Sequence, residues 1–107
     1  MKKYTVKITE EALADMESLY HYIATELQAP ENARRQYNRI ADAILILENF
    51  PERFGQFLSE PEHSMRIHKM VVDNYLICYV IDPDTVTVTD VLYGASDVHS
   101  RLQQRHT

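Results

Sequence analysis

The stretch that most constrains the fold is YLICYVI, residues 75–81, in which every side chain is apolar. A strand without polar positions needs cover on both faces, so it is expected at the centre of a sheet. Turn signals bound it: Asp-Asn at 73–74 tolerates the positive φ angles of a two-residue hairpin, and Asp-Pro-Asp at 82–84 turns the chain again. The flanking stretches 65–72 and 85–93 are rich in β-formers and are predicted to be the neighbouring strands.

Two amphipathic helices are predicted before these strands. Apolar residues recur at spacings of three and four over 13–27 and again over 33–47, which is the period of one helix face. Thr9 is placed to cap the first helix, and Pro30 is tolerated at the first position of the second. Residues 4–8, YTVKI, alternate between faces and predict a short strand ahead of the helices.

The predicted order of elements is therefore β-α-α-β-β-β-α. Residues 52–64 show no period and are expected to form a loop, and a short helix from Asp97 to about Arg105 is expected after Gly94. This order indicates an α+β domain in which a small antiparallel sheet packs on a two-helix hairpin. The length of 107 residues suits one domain over 1–107.

Composition narrows the functional classes. Cys78 is the only cysteine, so an intrachain disulfide is excluded, and its apolar surroundings predict a core residue. No apolar leader and no stretch near the ~18 apolar residues of a membrane span is visible, so a cytoplasmic location without membrane contact is expected. The five histidines lack metal-ligand spacing, and the two glycines are too few for a phosphate loop, so neither metal nor cofactor is expected.

The net charge of −5 disfavours a simple nucleic-acid binder, because phosphate binding draws on clustered Lys and Arg. Cations nevertheless gather at two places, which are Arg34, Arg35 and Arg39 in the second helix and Arg66, His68 and Lys69 before the central strand. The helical arginines are interpreted as a solvated face paired in part with Glu31 and Glu48, or alternatively as contacts to a target.

The segment MRIHKMVVDNYLICYVIDPDTVTVTDVLYGASDV, together with the element order, resembles the RelE/ParE family of bacterial type II toxin–antitoxin modules. The shared signature is a hairpin, an apolar strand, and then a His or Tyr before Gly and an acidic residue. The resemblance implies a plasmid-stabilisation or addiction toxin that inhibits growth unless a cognate antitoxin binds it. It also implies DNA gyrase or ribosome-bound mRNA as target, and a homodimer or a toxin–antitoxin heterotetramer as assembly. A further alternative is a catalytically inert module that only binds the antitoxin and co-represses.

If the chain cleaves RNA, four residues are the candidates for catalysis. His68 is the candidate base or acid, Arg66 and Lys69 would stabilise the phosphorane charge, and Tyr93 would stack on a base or donate a proton. Strand alternation predicts Arg66 and His68 on one face and Lys69 on the other. Alternatively these are the polar side of an edge strand, and Tyr93 is a half-buried strand residue. Asp90 stands among apolar neighbours, which indicates either a bulge or an exposed edge acid.

The chain departs from the nuclease pattern of the family at three positions. Many relatives carry Arg where Ser96 stands, between Gly94 and Asp97. The ribosome-dependent nucleases typically also place Arg beside the aromatic residue of the central strand, where this chain has Leu76, and Tyr in the final helix, approximately at Leu102. The resemblance therefore favours a ParE-like gyrase poison over a RelE-like mRNA endonuclease, and it leaves enzymatic activity open.

Overall fold

The architecture is a helical hairpin packed on one face of a four-stranded sheet. The computed structural model describes residues 2–58, 60 and 62–94. The elements in chain order are β1 (Thr5–Ile8), α1 (Glu10–His21), α2 (Pro30–Ile46), β2 (His68–Val72), β3 (Tyr75–Ile81) and β4 (Thr85–Tyr93). The helix predicted from Asp97 to about Arg105, and Ser96 before it, lie outside the described residues.

The strand order is β1-β4-β3-β2. Strand β3 pairs antiparallel with both neighbours, as predicted from its apolar sequence, whereas β1 pairs parallel with β4. The predicted α+β class with a sheet on a two-helix hairpin is confirmed, and the sheet is mixed rather than wholly antiparallel. The helical hairpin, β2 and β3 separate β1 from β4 in the sequence. No local sequence pattern sets the relative direction of two strands so far apart, so the parallel pairing was not predicted.

Two apolar clusters, one on each face of the sheet, explain why β3 has no polar position. Ile77 and Tyr79 belong to the larger cluster beneath the helices, together with Met16 and Ile44. Cys78 belongs to a smaller cluster on the opposite face with Ile67 and Leu92, against which Phe57 and Met65 pack. Cys78 is buried and free, as predicted for a core residue.

A β-bulge interrupts β4 at Thr89. Cys78 pairs with Asp90 and Tyr79 pairs with Val88, so Thr89 is the extra residue between them. Asp90 is fully buried, and its carboxylate accepts a hydrogen bond from the Thr89 hydroxyl at 2.7 Å. Of the two alternatives for Asp90, the bulge is therefore confirmed and the exposed edge acid is wrong, because β4 lies inside the sheet.

The helical hairpin begins and turns where the sequence indicates. The Thr9 hydroxyl accepts a hydrogen bond from the Ala12 amide at 3.1 Å, which caps α1, and Pro30 occupies the first turn of α2. Between the helices, Tyr22–Glu26 widen into a π-helical turn, and Gln28 takes a left-handed conformation with φ of 51°. Within the described residues, no helix is both long and apolar enough to cross a bilayer.

The prediction of a strand over 65–72 is wrong at its start. Strand β2 begins at His68, and Arg66 lies in a turn with φ of 59°. Backbone hydrogen bonds from Arg66 to the His63 carbonyl and from Ile67 to the Glu62 carbonyl hold this turn. The predicted loop before it contains a 3-10 turn at Pro51–Arg53.

Candidate functional site

His68 ties the loop after α2 to the sheet. Its Nδ1 donates to the Phe54 carbonyl oxygen at 2.8 Å, and its Nε2 lies 3.4 Å from the Gln56 side-chain nitrogen. The imidazole stacks on the Tyr79 ring with 5.3 Å between centroids. Both ring nitrogens of His68 therefore contact the loop, and one face of the ring packs on the sheet.

Arg66 lies outside β2, and Lys69 lies on the face of β2 opposite to His68. Arg66 is exposed in the turn before β2, so the strand alternation that predicted a shared face with His68 does not apply to it. Lys69 lies on the opposite face of β2, as predicted, with its Nζ 4.9 Å from the centroid of the Phe57 ring. An aromatic partner stabilises the Lys69 ammonium there.

Tyr93 ends β4 beside Tyr75, with 5.4 Å between the ring centroids, and it is 68% exposed. Gly94 follows with φ of 66°, and its amide donates to the Asn74 carbonyl at 2.7 Å. Gly94 therefore adopts a left-handed turn conformation at the end of β4. His68 stacks instead on Tyr79, four positions from Tyr75, which is roughly 13 Å along the strand. The structure therefore does not bring His68, Lys69 and Tyr93 into one cluster.

A groove of about 780 Å³ opens where this end of the sheet meets the hairpin. Tyr22 from the π-helical turn, Tyr75 from β3 and Tyr93 from β4 line it. Burial raises the pKa of Tyr75, and the neighbouring phenols of Tyr93 and Tyr22 raise it further. We call this site the tyrosine groove and define it by Tyr22, Leu27, Arg35, Tyr75 and Tyr93.

The π-helical turn contributes the outer wall of the tyrosine groove. Tyr22 and Leu27 are each 56% exposed, although both are large and apolar. Such turns are frequently found at functional sites, because the extra residue per turn redirects side chains. The helical period in the sequence draws attention to Tyr20 and Ile23 and passes over Tyr22, which is why sequence reasoning missed this residue.

An ion pair fixes the other end of the groove. Arg39 donates from Nε and Nη2 to the two carboxylate oxygens of Asp73 at 2.8 and 2.9 Å, and Gln36 adds a bond of 3.0 Å. The hydrogen bonds from Arg39 and Gln36 hold the pKa of Asp73 below its usual value. Asp73 adopts φ of 56° in the predicted two-residue turn between β2 and β3, which this pair anchors to α2.

The Arg39–Asp73 ion pair differs from the pairing with Glu31 and Glu48 that was expected for the arginines of α2. Lys3, rather than an arginine, lies 3.7 Å from Glu48, and Arg39 pairs with Asp73. On the opposite side of the groove, the Asp15 carboxylate accepts the Val91 amide at 3.0 Å, just beyond the bulge. No group of three or more His, Cys, Asp and Glu side chains suited to a metal ion occurs in the part of the chain that the structure describes.

A helical hairpin on one face of a small mixed sheet, with an aromatic groove at the sheet end, defines a small α+β protein. The family model of the ParE toxin of type II toxin–antitoxin systems, parDE, matches residues 6–98, and the chain belongs to this family. Its fold is similar to a chain of the chromosomal ParDE TA system from P. aeruginosa, with a TM-score of 0.70 over 87% of this chain and 98% of that chain at 16% identity. No curated protein sequence matches this chain.

Proposed function

We propose that this ParE-family toxin acts by poisoning DNA gyrase and that a cognate antitoxin neutralises it. The observation that supports gyrase rather than mRNA is the separation of the candidate nuclease residues. RNA cleavage requires a proton acceptor, cations and a proton donor around one phosphate, within hydrogen-bond reach. Among the described residues, His68 and Lys69 lie on opposite faces of β2, and Tyr93 lies at the other end of the sheet.

The role that His68 already has supports the same proposal. Its Nδ1 donates to a backbone carbonyl, and its ring lies against Tyr79, so the imidazole organises the loop over the sheet edge. A general base needs a ring nitrogen directed at the substrate, with a neighbouring cation to stabilise the developing charge. Arg66 is in a turn outside the strand, so the spacing of these residues in sequence is not their spacing in space.

The tyrosine groove supports a protein partner. Tyrosine and arginine are enriched at protein interfaces, since they combine a large apolar area with a directed polar group. Tyr22 and Tyr93 leave more than half of their surfaces exposed beside the nearly buried Tyr75. An antitoxin segment that covers this groove would remove that apolar area from water, which is a favourable source of affinity.

Expression of the chain in bacterial cells, alone and together with the protein encoded by the adjacent gene, tests the proposal. We expect growth arrest with the toxin alone, accumulation of gyrase-dependent DNA breaks, and rescue by the adjacent gene product. Mapping of mRNA 5′ ends in the same cells is the comparison. New in-frame mRNA ends within ribosome-bound messages, without DNA breaks, would replace gyrase by mRNA as the target.

A further inference from the structure

The cations around the tyrosine groove differ in what already neutralises them. Arg39 forms a bidentate pair with Asp73, so its charge is compensated within the fold. Arg35, one helical turn earlier, lines the groove beside the tyrosines, and in the described ranges it is within salt-bridge distance of no carboxylate. Arg34 is also exposed on α2 but is not among the residues that line the groove.

The residues around Arg35 indicate which chemical groups a partner needs in order to bind there. A guanidinium binds a carboxylate through two parallel hydrogen bonds, and such a pair is stronger where neighbouring aromatic rings exclude water. The groove offers such rings, because Tyr75 is only 8% exposed and the ring centroid of Tyr93 lies 5.4 Å from its own. A peptide segment that places an apolar side chain on the tyrosines and a carboxylate at Arg35 would fit both features.

The charge of the whole molecule strengthens this choice. The chain carries a net charge of −5, so most of its surface repels an acidic segment. The α2 wall is an exception, since Arg35 lines the groove there, is exposed, and in the described ranges lies within salt-bridge distance of no carboxylate. Asp15 on the opposite wall directs its carboxylate to the Val91 amide, so the positive end of the groove is the α2 side.

We propose that Arg35 is a specificity-determining residue of the tyrosine groove, which binds an antitoxin segment through a carboxylate at Arg35 and an apolar side chain at Tyr75 and Tyr93. This inference rests on the proposed function, because it takes the antitoxin as the partner. A carboxylate at one position of the segment then distinguishes the cognate antitoxin from antitoxins that carry an apolar or basic residue there.

The test measures affinity for the purified protein encoded by the adjacent gene, at low and moderate salt, for three forms of the full chain. These are the wild type, Arg35→Glu and the matched control Arg34→Glu. We expect Arg35→Glu to weaken binding about tenfold or more, which is what loss of one charge-assisted hydrogen bond costs. Its affinity should also depend less on salt than that of the wild type. Arg34→Glu should bind like the wild type, and equal melting temperatures would show that both variants fold.

Charge exchange completes the test. Each Asp or Glu of the antitoxin segment is replaced in turn by Arg, and one of these variants should restore binding to Arg35→Glu while it weakens binding to the wild type. If Arg35→Glu and Arg34→Glu have equal effects, or no exchange restores binding, Arg35 does not set specificity, whereas the toxin–antitoxin assignment stands. Absence of binding by the wild type would overturn the proposed partner itself, and the present inference with it.

Discussion

Tyr79→Phe removes one buried hydroxyl and leaves the rest of the core in place. Tyr79 is 0% exposed, and its hydroxyl donates to the carbonyl oxygen of the buried Pro51 at 2.6 Å. Burial raises the pKa of this phenol, so it is a hydrogen-bond donor at neutral pH. The variant leaves the Pro51 carbonyl without this donor, and we expect the free energy of unfolding to fall by about 1–3 kcal/mol.

Urea unfolding followed by circular dichroism measures this loss. The midpoint should fall while the slope stays unchanged, because the surface exposed on unfolding is the same. Tyr93→Phe is the matched control, since it deletes the same atom from a residue that is 68% exposed, and its midpoint should equal that of the wild type. If both variants unfold at the same urea concentration, the link between Tyr79 and Pro51 does not hold the loop after α2 to the sheet.

Three other substitutions test the packing of the core, the Arg39–Asp73 ion pair, and the hydrogen bond from His68 to the Phe54 carbonyl. Ile44→Ala, at a position that is 1% exposed, should lower the free energy of unfolding by about 2–5 kcal/mol in urea. The pKa of Asp73 is lowered in the fold, so its contribution to stability is complete above the unfolded value of about 3.9 and is lost as pH falls through the folded value. Asp73→Asn should therefore flatten the decline of urea midpoints below about pH 4. His68→Ala should lower the melting temperature, because it removes the bond to Phe54, and should leave inhibition of gyrase unchanged.

Each of these has an outcome that contradicts it. A wild-type-like midpoint for Ile44→Ala would mean that the hairpin does not pack on the sheet as described. An unchanged acid profile for Asp73→Asn would remove the Arg39 pair from the account of stability. Loss of toxicity in a folded His68→Ala protein, accompanied by loss of mRNA cleavage, would return His68 to a catalytic role.

The sequence predicted the elements whose pattern is local. The uninterrupted apolar run became the central strand β3, because alternate side chains are buried in separate clusters on the two faces. The cap at Thr9 and the bulge next to Asp90 could also be predicted from the sequence, since each depends on neighbours within a few residues. The start of β2 could not be predicted from the sequence, because the turn conformation of Arg66 depends on hydrogen bonds within 62–67 that compete with strand formation.

The groove could not be predicted, because it depends on contacts distant in sequence. Arg39 and Asp73 are 34 positions apart, and only the packing of α2 on the hairpin of β2 and β3 brings them together. Tyr22 enters the groove through a π-helical turn that the period of an α-helix does not reveal. Among the nuclease candidates, His68 and Lys69 lie on opposite faces of β2, as strand alternation predicted, and Tyr93 lies beside Tyr75 at the other end of the sheet, which no local pattern indicates.

The measurement that tests the central claim most directly is a gyrase assay with the purified chain. Relaxed plasmid, ATP and gyrase are incubated with increasing toxin, and supercoiling and covalent gyrase–DNA complexes are quantified on gels, with and without the adjacent gene product. The account predicts that the toxin increases cleaved complexes and lowers supercoiling, and that the antitoxin reverses both. Unchanged gyrase activity at toxin concentrations that arrest growth, together with cleavage of ribosome-bound mRNA by the same preparation, would contradict it.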